Sequence, residues 1–290
     1  MRTSFIQLHI AVFLAGFTGI LGKLITLNEG LLVWYRLLIT SATLWILFYF
    51  QRHLRRIPRK DIFQIFGVGC IAALHWVSFY GSINYANVSV ALVCFSSIGF
   101  FTALLEPLIM KKRINFTEVL LGIMTIVGIA IIFHFDPQYK IGIIIGIISA
   151  VLASLFPIFN RRFLQTHTPE TVTVYELTGG FLFLSTLLPG YLYLFPAGHT
   201  IPTVSDLGWL LILSWLCTVL AFQLSMRALK KISAFTVNLS FNLEPLYGIL
   251  LAFIVFHENE MLSGEFYIGL GLIVLSVFLQ TWLVYRKRNI

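Results

Sequence analysis

The chain has 290 residues, of which 58% are hydrophobic and 11% are charged, and its formal net charge at pH 7 is +8. Soluble domains carry about 25% charged residues, so this composition excludes a soluble fold. A membrane-spanning helix needs about 20 apolar residues, and ten such helices would leave only short loops. The length therefore excludes an appended catalytic domain, a nucleic-acid-binding domain and a disulfide-built secreted protein.

The apolar residues fall into ten runs with short polar or charged breaks between them. The runs cover residues 6–24, 31–50, 62–83, 88–110, 117–134, 140–160, 172–194, 206–226, 233–256 and 263–285. We expect each run to form a helix, because an open sheet edge leaves backbone groups unpaired in lipid. No small-residue cleavage site follows the first run, so we expect a retained helix rather than a signal peptide.

The basic residues fall almost entirely on the inner side of the membrane when the amino terminus is placed inside the cell. Lys23 and Lys140 then fall outside and Arg36 lies within the second run, whereas 17 of the 20 Lys and Arg residues fall on the inner side. Inner loops of membrane proteins are rich in Lys and Arg. The pattern predicts a multi-pass protein of the cell membrane with ten spans and both termini in the cytoplasm. It assigns the basic charge to lipid headgroups and the cytoplasm, not to nucleic acid.

The sequence carries traces of an internal duplication in which each half supplies five runs. Segments 15–17, 33–37 and 85–91 match, in the same order, segments 153–155, 173–177 and 229–235. An odd number of helices per half places the two halves in opposite orientations, and such inverted repeats hold substrate at their interface. We therefore predict an all-α membrane protein with two inverted five-helix repeats, residues 1–136 and 137–290, around one central cavity.

This arrangement resembles the EamA-type carriers of the drug/metabolite transporter superfamily. The resemblance covers nearly the whole chain and is carried by the basic end of the first run, Trp34-Tyr35-Arg36, the serines at the starts of runs four and nine, and Pro245 followed by Phe256-His257-Glu258. Two features depart from it: Ser96, Ser97 and Gly99 stand where a first-half proline is expected, and Lys111-Lys112-Arg113 stands where the second half has His257-Glu258. The resemblance implies export or exchange of small metabolites, often amino acids or drug-like amphiphiles.

Glu244 is the leading candidate for a substrate-binding residue. It lies in the middle of the ninth run, where an ionisable group is costly and usually functional. Pro245 follows it and lacks a backbone donor, which predicts a kink or break in the helix. The polar residues Asn238 and Asn242 precede it on the same run. We predict that these two amides and Glu244 bind substrate and that Glu244 is a candidate proton carrier; a neutral carboxyl that links helices is the alternative.

The tetrapeptide Leu-Glu-Pro-Leu around Glu244 also occurs around Glu106. Glu106 precedes Lys111-Lys112-Arg113 by five residues, about 7.5 Å along a helix. We therefore expect its carboxylate to reach the inner interface and not the cavity.

Arg36 and Glu176 occupy matching places in the second and seventh runs. Each lies about a turn and a half from an end of its run, near opposite membrane faces. They are either a pair of gating charges, one on each side of the cavity, or side chains that extend to the nearest interface.

His75 lies in the middle of the third run beside Trp76, with Phe79 and Tyr80 about one turn further on. Ligand pockets combine apolar and aromatic walls with a few polar groups. We predict that these four side chains line the substrate cavity, although a lone imidazole is also found as a satisfied structural group.

The three cysteines, Cys70, Cys94 and Cys217, lie inside apolar runs and are interpreted as small buried hydrophobes. The sequence contains no metal-ligand spacing, nucleotide-binding loop or catalytic serine motif, so we expect no metal, no cofactor and no enzymatic activity. The predicted function is secondary transport of small amphipathic metabolites by alternating access, as efflux or exchange, with amino acids as the first candidates. Efflux of cationic drugs or quaternary amines is the alternative, and an intramembrane enzyme or sensor is the rival class.

Overall fold

The computed structural model describes residues 2–50, 54, 56–135, 137–232, 234–241 and 243–288. Within these ranges the chain is helical and contains no β-strand. The α-helices are α1 (Arg2–Gly16), α2 (Thr18–Leu24), α3 (Glu29–Phe50), α4 (Arg59–Tyr85), α5 (Val88–Phe95), α6 (Ile98–Met110), α7 (Phe116–Phe135), α8 (Lys140–Phe163), α9 (Pro169–Leu194), α10 (Val204–Ser214), α11 (Ala221–Leu229), α12 (Ala234–Phe241), α13 (Glu244–Phe256) and α14 (Gly264–Arg288). A π-helical turn, Trp215–Leu220, joins α10 to α11.

Seven helical segments of the described chain are long and apolar enough to cross a membrane, which makes this a multi-pass membrane protein. They are Thr3–Leu24, Glu29–Phe50, Arg59–Tyr85, Val88–Met110, Lys140–Phe163, Pro169–Leu194 and Val204–Leu229. Three apolar helices are shorter: Phe116–Ile132, Glu244–Phe256 and Gly264–Leu279. Each apolar run therefore contains helix within the described residues, and seven helical segments reach spanning length by themselves.

Besides the first run, which is interrupted at Phe17 between α1 and α2, the fourth and the ninth runs are broken in the middle. The fourth run is divided between α5 and α6, where Ser96 and Ser97 donate side-chain hydrogen bonds to the carbonyls of Leu92 (3.2 Å) and Cys94 (2.6 Å). Such bonds offer the backbone an alternative to regular helix. The ninth run is divided between α12 and α13, and Pro245 lies in the first turn of α13, where its missing N–H costs no helical bond.

The helices approach one another most closely at pairs of glycines. A Cβ atom on Gly69 of α4 would lie 1.9 Å from the carbonyl oxygen of Glu176, and one on Gly180 of α9 would lie 2.7 Å from that of Gly69. Gly128 of α7 and Gly269 of α14 approach each other in the same way, at 2.6 Å. Small residues are what let helices pack at this distance inside a membrane.

The pairs of packed helices form a regular pattern. Four contacts join helices that belong to matching runs of the two sets: α3 with α9, α5 with α13, α6 with α12 and α7 with α14. Other contacts occur in matching couples, since α4 packs on α8 as α11 packs on α1, and α6 packs on α8 as α13 packs on α1.

The two ends of the bundle differ in charge. One end carries Arg59, Lys112, Arg161 and Lys230, and we call it the basic end. The opposite end carries Thr26, Glu29, Asp206 and Glu258, and we call it the acidic end.

At the acidic end, two carboxylates of the last five runs accept hydrogen bonds from the first five. Asp206 accepts from the backbone nitrogen (2.7 Å) and the hydroxyl (2.9 Å) of Thr26. Glu258 accepts from the backbone nitrogens of Val88 (3.0 Å) and Ser89 (2.8 Å), which begin α5. Glu258 lies at the N-terminus of α5, where negative charge is favoured. The contacts of both carboxylates join the two sets of runs at this end.

Candidate functional site

A cavity of about 800 Å³, its opening included, lies between the helices in the middle of the bundle. Both sets of five runs contribute to its walls.

The cavity extends from the middle of the bundle toward the basic end. α11 lines it from Ala221 to Leu229, the last residue of that helix, and α8 lines it from Phe156 to Asn160, near its own end. On the side of the acidic end the lining includes Arg36 and Phe79. The carboxylate contacts of Asp206 and Glu258 described above lie at that end.

Six of the side chains predicted from the sequence line this cavity: Arg36, His75, Trp76, Phe79, Asn238 and Glu244. Tyr80 lies behind the wall, and its hydroxyl accepts a hydrogen bond from Arg36. Pro245 is buried in the first turn of α13. Glu176 is separated from the cavity by Asn160, and Asn242 lies outside the described residues.

Glu244 is the first residue of α13 and is 6% exposed. Among the described residues, its carboxylate accepts no hydrogen bond and has no Lys, Arg or His nitrogen within 4.0 Å. The break between α12 and α13 brings this helix N-terminus to the cavity, where a negative group is favoured. A carboxylate in this place can bind a cationic group of a ligand.

Arg36 projects from α3 into the same cavity and is 2% exposed. Its Nε donates to the hydroxyl of Thr218 at 2.7 Å and its Nη1 donates to the hydroxyl of Tyr80 at 2.9 Å. The guanidinium carbon lies 4.1 Å from the centre of the Trp76 ring. The side chain therefore faces the cavity and is held there, and it does not extend to an interface.

His75 joins α4 to α8 through one side of its ring. Its Nδ1 lies 2.8 Å from the hydroxyl and 3.1 Å from the carbonyl oxygen of Ser149. The ring stacks on Phe95, with 5.5 Å between centroids. The imidazole is thus fixed by a structural hydrogen bond and contributes its stacked ring to the cavity wall.

Asn160 connects the cavity to a fully buried carboxyl. Its amide nitrogen donates to both oxygens of Glu176, at 3.0 and 2.9 Å, and Glu176 is 0% exposed. Arg36 and Glu176 are therefore both buried, Arg36 in the cavity wall and Glu176 behind it. Neither side chain extends to an interface.

Asn238 is fixed in the wall by a hydrogen bond of 2.8 Å from its amide to the hydroxyl of Thr102 on α6. Phe156 and Phe222 form an aromatic part of the wall, stacked at 6.1 Å. Sequence reasoning did not select these two aromatic residues, because nothing in a run of apolar residues marks which face is turned inward. Thr218, which holds Arg36, was missed for the same reason.

Glu106 is absent from the lining of the cavity. It is 7% exposed and accepts an ion-pair hydrogen bond from Lys112 at 3.1 Å. Lys111 adopts a left-handed backbone conformation, φ 51°, and turns the chain so that Lys112 folds back over the end of α6. Glu106 is therefore paired with an exposed lysine at the end of α6.

No group of three or more His, Cys, Asp or Glu side chains in the described part of the chain is arranged to hold a metal ion. Among the described residues, the cavity lining offers one cation, one carboxylate, amides and aromatic rings. Such a set can bind and orient a small molecule.

Comparison with known proteins gives a match over nearly the whole chain. The model of the EamA-like transporter family matches twice, at residues 3–134 and at residues 140–282.

Two curated relatives are uncharacterized transporters. One, from Archaeoglobus fulgidus, is 27% identical over 139 residues, which cover 47% of this chain and 49% of the relative. The other, YdfC of Bacillus subtilis, is 26% identical over 188 residues, which cover 63% of this chain and 61% of the relative. The match thus spans about half to three-fifths of the length of these relatives. A crystal structure of a protein that is 17% identical superposes with a TM-score of 0.70 over 99% of both chains, so the fold is shared.

Proposed function

The chain belongs to the EamA-like transporter family, and on this premise we propose that it is a secondary transporter that moves small amphipathic metabolites across the cell membrane by alternating access. The family and the two relatives named as transporters point away from an enzyme. The observation that carries the proposal is the central cavity, in which Glu244 and Arg36 present opposite charges that do not pair with each other.

The proposed architecture is ten spans in two inverted repeats, residues 1–136 and 137–290, with both termini in the cytoplasm. Two matches of one family model, one in each half, support a duplication. The matching couples of packed helices support the same symmetry. The three shorter apolar helices complete the ten spans, because membrane helices also cross as broken or tilted segments.

The proposed orientation makes the basic end cytoplasmic, in agreement with the excess of Lys and Arg there. The cavity reaches toward that end, and hydrogen bonds between the two repeats close the acidic end. This geometry corresponds to an inward-facing state. In the outward-facing state, the contacts of Glu258 with α5 would have to open.

Amino acids are the first candidate substrates and efflux or exchange is the proposed direction of use. An ammonium group would bind at Glu244, and apolar side chains would pack on Phe79, Phe95, Phe156 and Phe222. Glu244 is also the candidate for a coupling proton, and Arg36 and Glu176 are the candidate gating charges.

Efflux of cationic amphiphiles is the second candidate, because aromatic rings beside a carboxylate bind quaternary amines through cation–π contacts. Counterflow distinguishes the two. Proteoliposomes loaded with a mixture of unlabelled amino acids should accumulate labelled amino acids. Proteoliposomes loaded with unlabelled tetraphenylphosphonium should not accumulate the labelled form of this cation. Accumulation of the labelled cation alone would reverse the choice of substrate, and accumulation of neither would contradict both candidates.

A further inference from the structure

Arg36 is a buried cation without an anion beside it. The groups that accept its hydrogen bonds, the hydroxyls of Thr218 and Tyr80, are neutral. In the part of the chain that the structure describes, no carboxylate lies within 4.0 Å of the guanidinium. Burying a charge without an opposite charge is costly, so this arrangement leaves a place for an anion.

The guanidinium lies in the cavity wall and keeps N–H groups that are not used in hydrogen bonds within the described chain. Trp76 covers one face of it, and the bonds from Nε and Nη1 fix its orientation. Nη2 has no acceptor among the described residues. Three of the five N–H groups of the guanidinium, two on Nη2 and one on Nη1, therefore have no acceptor among the described residues.

The π-helical turn helps to hold this orientation. Thr218 lies within the turn, and its hydroxyl donates to the carbonyl of Leu213 at 2.9 Å. Its oxygen lone pairs are thereby directed to the Nε of Arg36. π-helical turns are frequent at functional sites, and here the turn holds an acceptor for the guanidinium.

We propose that Arg36 binds a carboxylate group of the transported substrate. This inference rests on the proposed transport function and specifies its substrate class. The planar carboxylate matches the fork of a guanidinium better than a spherical anion does. With Glu244 in the same cavity, the substrate is a zwitterion whose carboxylate lies at Arg36 and whose ammonium group lies at Glu244.

The charge inventory of the cavity favours a carboxylate over a phosphate. Arg36 is the one Lys or Arg residue among the described side chains that line the cavity. The charge of Arg36 balances one negative charge of a ligand, and the carboxylate of Glu244 repels a second negative charge. A phosphate dianion would leave a charge unbalanced in a site of low dielectric.

Four compounds with similar carbon skeletons test the inference on the purified protein: leucine, leucine methyl ester, 4-methylpentanoate and 3-methylbutylamine. Bound ligand raises the unfolding temperature, so thermal unfolding at increasing concentrations gives an affinity for each. Leucine is expected to bind at least about tenfold more tightly than its ester or the amine, because hydrogen bonds to charged groups are the strong ones. In the Arg36→Gln variant, the ratio of the affinity for leucine to the affinity for its ester should fall to near one.

Tyr80→Phe keeps the ring and removes one acceptor of Arg36, so it should reduce the ratio several-fold even where Arg36→Gln fails to fold. Arg227→Gln is the matched control, because Arg227 pairs with Glu170 at 2.9 Å outside the cavity; it should leave the ratio unchanged. Equal binding of leucine and its ester, no binding of any carboxylate, or a ratio that survives in Arg36→Gln would overturn the inference. Counterflow of the amine alone would overturn it while leaving the transport function intact.

Discussion

Glu258 and Ser89 lie 169 positions apart in the chain and are joined by two hydrogen bonds, at 2.8 Å to the backbone nitrogen and 2.6 Å to the hydroxyl. Glu258 is 4% exposed, and it also accepts a bond from the backbone nitrogen of Val88. One carboxylate thus caps the first turn of α5. The matching place at the basic end, after α6, is occupied by Lys111-Lys112-Arg113, which provides no carboxylate. The carboxylate cap at the acidic end therefore has no counterpart at the basic end.

Replacing Glu258 by alanine should weaken closure of the acidic end. Bonds to charged groups contribute about 1.5 to 3 kcal/mol, so loss of the cap should increase reaction of cavity thiols from the acidic side about tenfold or more. The rate of maleimide labelling of Cys217 measures this change. Glu260→Ala is the control, because Glu260 is exposed and its side chain makes no hydrogen bond in the described chain. Equal labelling rates in both variants would contradict a latch at Glu258.

The native thiol of Cys217 should report the inward-facing state. Cys217 lines the cavity, whereas Cys94 is fully buried. In a variant that retains Cys217 alone, a membrane-impermeant maleimide should react in inside-out vesicles and not in intact cells. Faster reaction in intact cells would mean that the cavity opens to the outside.

Glu244→Gln should weaken substrate binding or flatten the pH dependence of transport, because Glu244 is the one unpaired carboxylate among the described residues of the cavity wall. Glu106→Gln, in the same Leu-Glu-Pro-Leu sequence, should change neither by more than about twofold. Counterflow at several pH values measures both variants after equal insertion is verified by antibody. Intact transport in the Glu244 variant and loss of transport in the Glu106 variant would show that Glu106, and not Glu244, is the residue needed for transport.

Gly69→Ala should destabilise the protein, because its Cβ would lie 1.9 Å from the carbonyl oxygen of Glu176, a backbone atom that cannot move independently. Overpacking of this kind costs about 1 to 3 kcal/mol. Gly67→Ala on the same helix is the control, since nothing lies within 4 Å of its Cβ; alanine there should be neutral or slightly stabilising. Melting temperatures in one detergent compare the two, and equal values would contradict the close packing of α4 and α9.

His199 should lie outside the cell and Lys230 inside. Lys230 is exposed at the basic end, and His199 lies near the acidic end with 40% of its side chain exposed. Single cysteines at these positions, in a background without native cysteines, should react oppositely with an impermeant maleimide in intact cells. Labelling at 230 and not at 199 would reverse the orientation.

The helices could be predicted from composition because a bilayer requires long apolar helices, and each predicted run is helical. The breaks were less accessible. Pro245 predicted the break before α13. The hydrogen bonds of Ser96 and Ser97 to their own backbone accompany the break in the fourth run, but Ser185 makes such a bond within the unbroken α9, so a serine alone does not mark a break. The π-helical turn between α10 and α11 has no marker in the sequence.

Depth in the membrane predicted part of the site. The position of Glu244, far from both interfaces, is readable from residue counts alone. For Arg36 the same residue count was compatible with a side chain that extends to the interface and with one that faces the cavity. Depth in the membrane does not give the direction in which a side chain points. That direction depends on Tyr80, Trp76 and Thr218, the last of them from the other half of the chain.

The π-helical turn, Trp215–Leu220, also sets the rotational phase of α11. One additional residue in a turn rotates everything after it by about 100° relative to a continuous α-helix. The face of α11 that carries Phe222, Ser225 and Met226 is turned toward the cavity with this additional residue in place. Loss of one residue from the turn would bring a different row of side chains to the wall while leaving the composition of α11 unchanged. The chemical character of the wall is thus encoded by the length of a turn as well as by the residues that follow it.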